Sequence, residues 1–130
     1  MAGGTRRASI GDPSEHTVWE GRRLSLVGSA AGGRLPSARY RATANWLYWT
    51  SGRLGTAVEK VPMWAIRDVD IEQSIQQRAR RVGTITVSLQ HRDYSGSPTF
   101  VCLDDVEHPK DATRLITAAA RTARAAHDSA

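Results

Sequence analysis

Short stretches in which polar and apolar residues alternate one by one recur along most of this 130-residue chain. The clearest runs from Thr84 to Leu89, where Ile85 and Val87 alternate with threonine and serine. A period of two places the apolar side chains of a strand on one face, so each stretch predicts a half-buried β-strand. Such stretches lie at about residues 22–27, 38–43, 67–73 and 84–89. An aromatic-rich stretch at 46–50 and further stretches at 56–61 and 100–103 bring the predicted strands to seven.

The last part of the chain has the spacing of a helix instead. Proline follows His108, which suits the first helical position, and we predict a helix over about residues 109–126. Its apolar residues form one stripe at intervals of three and four, which are Ala112, Leu115, Ile116, Ala119, Ala120 and Ala123. Seven strands and one helix predict a mainly β fold with one C-terminal α-helix, a barrel or sandwich of antiparallel strands capped by the helix.

The first 15 residues are small and polar and include glycine and proline. This composition predicts a flexible N-terminal tail at residues 1–15 and leaves residues 16–127 as one domain. The chain has no apolar stretch that suits a signal peptide or a transmembrane helix. We therefore expect a cytoplasmic protein.

Four segments carry patterns that are more specific than alternation alone. They are Tyr40–Leu47 followed by Ser51-Gly52, Val61–Val69 (VPMWAIRDV), Gln73–Ile85, and Phe100–Pro109. In this order they resemble the bacterial pleckstrin-homology (PH) domain family, over about residues 18–126. The resemblance implies a PH-like barrel of about seven strands and a binding module. Many members of that family are flanked by transmembrane helices, which this sequence does not show.

The net charge of +5 is concentrated in one part of the domain. Residues 21–60 carry seven basic residues and one acidic residue. Arginine presents its donors in a fixed fork that suits several phosphate oxygens at once, and the resemblance implies phosphate ligands in this region, as in PH domains that bind phosphoinositides. The candidate residues for binding an anion or lipid are Arg22, Arg23, Arg34, Arg39 and Arg41. A plain solvent-facing strand is the other interpretation.

Two further groups are candidates for binding a partner. Trp46 and Tyr48 share one face of a predicted strand, opposite Leu47 and Trp49. One pair is expected in the core. The other pair is exposed as a binding surface, or it is covered by the tail, by a second subunit or by the curvature of the barrel.

A second basic cluster lies in the segment at residues 76–81, which we predict to be a loop. Its arginines are either solvated or form a docking site for an acidic segment of a partner. They are Arg78, Arg80 and Arg81.

Residues that would catalyse a reaction or bind a metal are sparse. Cys102 is the single cysteine, and its place between two apolar residues of a strand predicts a buried, inert thiol. The four histidines are scattered, and no pair has the spacing of metal ligands. Asp68, Asp70 and Glu72 share a strand face, which predicts a solvated acidic face; acid–base work or a bound cation is the alternative. We predict no catalytic residues, no cofactor and no metal.

These patterns favour a non-enzymatic binding module that recognises a protein partner or self-associates, through a sheet edge or the face of Trp46 and Tyr48. The alternative is a peripheral adaptor that binds anionic lipid through residues 21–60, at the inner face of the cell membrane. An enzyme is less well supported. Nucleic acid is not expected as a partner, because the chain lacks a groove-binding helix motif and an ordered pattern of stacking aromatics.

Overall fold

The computed structural model describes residues 10–23, 38–51, 57–90 and 100–129. Within these ranges the chain forms seven β-strands, two α-helices and one 3-10 turn at Met63–Ala65. The strands are β1 (Thr17–Arg22), β2 (Arg39–Thr43), β3 (Trp46–Ser51), β4 (Ala57–Pro62), β5 (Ile66–Glu72), β6 (Val82–Leu89) and β7 (Phe100–Glu107). The helices are α1 (Ile75–Arg80) and α2 (Pro109–Ser129).

The strands form two antiparallel sheets, with the orders β1-β2-β3-β4 and β5-β6-β7. A bridge between Arg23 and Val106 joins the end of β1 to the end of β7. The predicted mainly β fold with a C-terminal helix is confirmed. Strand β1 at residues 17–22 pairs with β2, and its Trp19 stacks on Tyr40 of β2 with 6.3 Å between ring centroids. The predicted strand at residues 22–27 overlaps the described ranges at Arg22 and Arg23 alone. Residues 24–27 lie outside the described ranges.

The core lies between the two sheets and beneath α2. Leu47 faces this core from β3, and Trp49 packs against it. Ala112, Ile116 and Ala120 are buried on α2, as the predicted stripe requires. Because two of the three are alanines, the helix backbone lies close to the sheets. The helix runs to residue 129, past the predicted end at about residue 126.

The segment at residues 76–81, predicted as a basic loop, belongs to helix α1 instead. Ser74 Oγ accepts a hydrogen bond from the Gln77 N–H at 3.0 Å, and the Ser74 N–H donates to Gln77 Oε1 at 3.0 Å. This reciprocal pair is a capping box, whose signature of serine followed three residues later by glutamine is visible in the sequence. Arg81 ends the helix in the left-handed conformation, with a φ of 62°.

Truncation of Ile116 tests whether α2 closes the core. Ile116 has no exposed surface, whereas Ile75 at the start of α1 is 88% exposed. Removing buried methyl groups leaves a cavity, so Ile116→Ala should lower the free energy of unfolding by about 2–5 kcal/mol. Ile75→Ala, the matched control, should change it by less than about 0.5 kcal/mol. Urea unfolding followed by circular dichroism measures both, and equal effects would contradict the role of α2.

Candidate functional site

Arg41, a predicted lipid ligand, is buried and binds the backbone of its own chain. It lies on β2 with 1% of its surface exposed. Its guanidinium donates to the carbonyl oxygens of Ile10, Asp12 and Glu15 and to the Thr17 hydroxyl. Four of its five N–H donors are therefore used inside the fold. Arg41, predicted as a ligand for an anion, thus binds groups of its own chain in this structure.

Residues 10–16, called the N-terminal strap below, are held against the sheet by these bonds. Ile10 is buried, and hydrogen bonds from Ser14 hold the pKa of Asp12 below its usual value. The strap includes residues 10–15 of the segment predicted as a tail, and it supplies the acceptors that a buried guanidinium needs. Residues 1–9 lie outside the described ranges.

Tyr48 lies beneath the strap and is 4% exposed. Its hydroxyl donates to Glu15 Oε1 at 2.6 Å. Gly11, at a φ of +80°, passes so close that a Cβ there would lie 2.4 Å from the ring. Burial and the hydrogen bond to Glu15 raise the pKa of Tyr48. Of the proposed alternatives, cover by the N-terminal segment is therefore what the structure shows for Tyr48, whereas Trp46 stays half-exposed.

Asp105 binds two more of the candidate arginines. It lies in an irregular part of β7 with a φ of 52°. Its carboxylate accepts hydrogen bonds from Arg23 and Arg80 at 3.4 Å each and from Gln77 at 3.0 Å. Since Arg23 follows β1 and Arg80 belongs to α1, one carboxylate ties β1, α1 and β7 together. Both arginines thus have a structural partner.

The remaining candidates for anion binding lie around the β1–β2 pair. Arg22 and Arg39 are directly opposite each other in the register of these strands. Arg22 is exposed and Arg39 is half-buried. Like charges in this arrangement repel each other. Arg34 lies outside the described residues, so its place relative to this pair stays a prediction.

A groove with two tryptophans opens beside the last turns of α2, with a volume of about 440 Å³. We call it the Trp46–Trp64 groove. Its lining comes from the β2–β3 turn, the end of β4, the 3-10 turn and α2, and consists of Asn45, Trp46, Pro62, Trp64, Ala123, Ala126 and His127. Of these residues, the sequence had indicated only Trp46 as a candidate for partner binding.

Contacts on both sides hold the walls of this groove. The Trp64 ring stacks on His127 of α2, with 3.8 Å between centroids and 2° between planes. The Met63 N–H donates to the Asn45 carbonyl at 2.8 Å, which ties the 3-10 turn to the β2–β3 turn. A signal for part of this wall is present in the sequence, because Ala123 and His127 continue the helical stripe at an interval of four.

A second cavity, of about 460 Å³, lies at the other end of α2. We call it the cationic cavity, and its lining consists of Gln73, Arg78, Arg81, His108, Pro109, Lys110 and Asp111. Of the predicted basic cluster, Arg78 and Arg81 meet here, while Arg80 binds Asp105.

The outer face of the second sheet carries the predicted acidic residues. Asp68, Asp70 and Glu72 are exposed on β5, and repulsion from Asp68 raises the pKa of Asp70. Cys102 is exposed on the same face, near Phe100. The prediction of a buried thiol is wrong, because β7 turns Leu103 towards the core and Cys102 towards the outer face. The described residues contain no group of three or more His, Cys, Asp or Glu that could hold a metal ion.

Comparison with known proteins identifies a family. The family model described as a bacterial PH domain matches residues 17–116. No curated protein matches the sequence significantly. In the described part of the chain, no helix combines the length and the apolarity needed to cross a membrane.

Replacement of Arg41 tests its hold on the strap. In Arg41→Met the strap carbonyls lose their donors, so the free energy of unfolding should fall by about 2 kcal/mol or more. Cleavage after Glu15 by a glutamyl endopeptidase should become faster, because the strap is released. Arg121→Met, at an exposed position of α2, is the control. Unchanged cleavage in Arg41→Met would show that other contacts hold the strap.

Alkaline pH tests the buried hydroxyl of Tyr48. Because its pKa is raised in the fold, its contribution to stability is complete below the unfolded value of about 10 and is lost as the pH rises above it. Tyr48→Phe should lose about 1 kcal/mol at pH 7 with its bond to Glu15. The further loss of stability of Tyr48→Phe above pH 10 should be smaller than that of the wild type. Of the two tyrosines in the described ranges, the variant keeps Tyr40, whose pKa burial also raises. Urea unfolding across this pH range measures the free energy of unfolding of the wild type and of Tyr48→Phe. Plotted against pH, the two curves should not run parallel.

Proposed function

Because this chain belongs to the bacterial PH domain family, we propose that it binds a short, extended and apolar segment of a protein partner in the Trp46–Trp64 groove. PH domains are typically non-catalytic binding modules, which supports this class of function. The observation that carries the proposal is the composition of the groove, which joins two tryptophans, a proline and two alanines around about 440 Å³.

The chemistry of the groove suits an apolar side chain. Trp46 and Trp64 are both half-exposed, so an occupant removes further aromatic surface from water. Apolar burial contributes about 25 cal/mol per Å², and tryptophan is enriched among the residues that dominate binding energy at interfaces. Because contacts on both sides hold Trp64 in place, little conformational entropy is lost on binding.

Strand β4 borders the groove and favours an extended occupant. It is an edge strand of its sheet, and all four residues from Ala57 to Lys60 are exposed, Val58 by 50%. An edge strand presents backbone donors and acceptors with which an added strand can pair. Since β4 ends at Pro62, which lines the groove, a segment paired with β4 would place a side chain there.

Lys60 adds a preference for charge. Its Nζ lies 4.1 Å from the centroid of the Trp46 ring, and it forms no ion pair with another described residue. A carboxylate next to the apolar side chain of the partner would pair with it. Such an exposed pair contributes about 0.2–1 kcal/mol, so it would affect the choice of partner more than the affinity.

The peripheral-membrane alternative depends on the basic region at residues 21–60. A basic residue near an anionic surface contributes about 1 kcal/mol to binding. Arg23 and Arg41 bind groups of the protein itself, which lowers the number of cations that this region offers to a bilayer. The proposal of a protein partner does not have this weakness, because the groove is open.

A substitution inside the groove tests the proposal. Ala126 is exposed and lines the groove, whereas its neighbour Ala125 is exposed but does not line it. Ala126→Arg fills the groove with a long side chain, and Ala125→Arg is the matched control. Random peptides displayed on phage are selected on the wild-type protein, and the affinities of the enriched peptides are measured by fluorescence polarisation. We expect Ala126→Arg to weaken binding at least about tenfold and Ala125→Arg less than about twofold.

Peptides that bind both variants equally well, or a selection that enriches none, would contradict the proposal. Sedimentation equilibrium of the wild-type protein measures whether it forms dimers. A dimer that dissociates in Ala126→Arg but not in Ala125→Arg would identify a second copy of the chain as the occupant of the groove.

A further inference from the structure

The cationic cavity brings together basic side chains from two elements. Arg78 and Arg81 come from α1 and its C-terminal end, whereas His108 and Lys110 come from the start of α2 and the residue before it. All four are exposed. The cavity and the Trp46–Trp64 groove are separated by most of the 21-residue helix α2, so the two places are distinct surfaces.

The cations of this cavity lack ion-pair partners within the described residues. Arg78, Arg81 and Lys110 form no ion pair there. The carboxylate in the lining belongs to Asp111, which pairs with Arg114 at 3.5 Å. Three like charges around one cavity repel one another. An anion that enters the cavity relieves this repulsion.

Helix α1 is anchored so that it holds its arginines in a defined place. Gln77, in its first turns, donates to the Asp105 carboxylate at 3.0 Å, and Arg80 reaches the same carboxylate at 3.4 Å. With Arg80 committed to this contact, Arg78 and Arg81 are left to line the cavity. Donors presented by an anchored element lose less entropy when they bind a ligand.

Several residues at or near the cavity have a positive φ. Among the described residues, the non-glycine positions with a positive φ are Arg81 at 62°, Asp105 at 52° and His108 at 50°. Such conformations are uncommon outside glycine. Arg81 and His108 line the cavity, and Asp105 anchors the helix that borders it. The conformation of Arg81 ends helix α1, and this end of the helix borders the cavity.

We propose that the cationic cavity binds a phosphoryl group, carried either by a soluble compound or by a lipid headgroup. A phosphoryl dianion offers several oxygens, which accept hydrogen bonds from Arg78, Arg81 and Lys110 together. The cavity, of about 460 Å³, has room for such a group. This site does not depend on the groove or on its partner segment.

Calorimetric titration with inorganic pyrophosphate at low salt tests the site. We expect the wild-type protein to bind, and Arg78→Gln/Arg81→Gln to bind at least about tenfold more weakly. The control Arg67→Gln/Arg121→Gln removes the same charge from exposed residues that do not line the cavity. The proposal is overturned if the wild type binds neither pyrophosphate nor vesicles that contain phosphatidic acid. It is also overturned if both double variants bind pyrophosphate equally more weakly than the wild type.

If Arg78→Gln/Arg81→Gln does not fold, the single variant Lys110→Gln tests the same cavity. Lys110 is exposed in the first turn of α2, and the substitution should weaken binding about threefold or more because one charged donor is lost. Thermal melts followed by circular dichroism show which variants are folded. A folded Lys110→Gln that binds as tightly as the wild type overturns the proposed site.

Sedimentation with vesicles distinguishes the two sources of the phosphoryl group. Phosphatidylcholine vesicles with and without phosphatidic acid are compared. Binding that requires phosphatidic acid, that pyrophosphate displaces and that only Arg78→Gln/Arg81→Gln loses identifies a lipid headgroup. Pyrophosphate binding without vesicle binding identifies a soluble ligand. Vesicle binding that all variants share, without pyrophosphate binding, overturns the proposal and leaves the test of the groove unaffected.

Discussion

The buried guanidinium of Arg41 is the interaction on which the N-terminal part of the domain depends. A charge removed from water is costly unless its donors are satisfied, and here the carbonyl groups of the strap satisfy them. This requirement holds residues 10–16 against the sheet and places Tyr48 beneath them. It also removes Arg41 from the residues that can reach a ligand. One hydrogen-bonded charge thereby decides which part of this sheet stays open.

Helix α2 covers the core and borders the two cavities described above. Its small stripe, with Ala112 and Ala120 on either side of Ile116, packs closely on the sheets and the 3-10 turn. Each of its two ends then borders an open cavity. The Trp46–Trp64 groove lies at its C-terminal end and the cationic cavity at its N-terminal end. One packed helix thus supports an apolar surface and a charged one.

The parts of this fold that could be predicted depend on local patterns. The alternation of β6 and the stripe of α2 are properties of a few neighbouring residues, so the sequence reveals them directly. The capping box of Ser74 and Gln77 is equally local and visible in the sequence. The loop predicted for this segment rested on its basic residues and did not take the cap into account. For Cys102 the apolar neighbours Val101 and Leu103 indicated a strand but not which of its faces meets the core, because a shift of one residue exchanges the two faces.

The sequence by itself determined the class of fold, the order of the strands before helix α2 and the face of α2 that packs on the core, since these follow from the spacing of apolar residues. Tertiary structure alone decided which polar residues are free to bind. Arg41 has the spacing of a surface residue, yet a segment some thirty positions away covers it. The groove likewise joins Trp46 to His127. Contacts between such distant residues leave no periodic trace in the chain, because they depend on how complete elements pack.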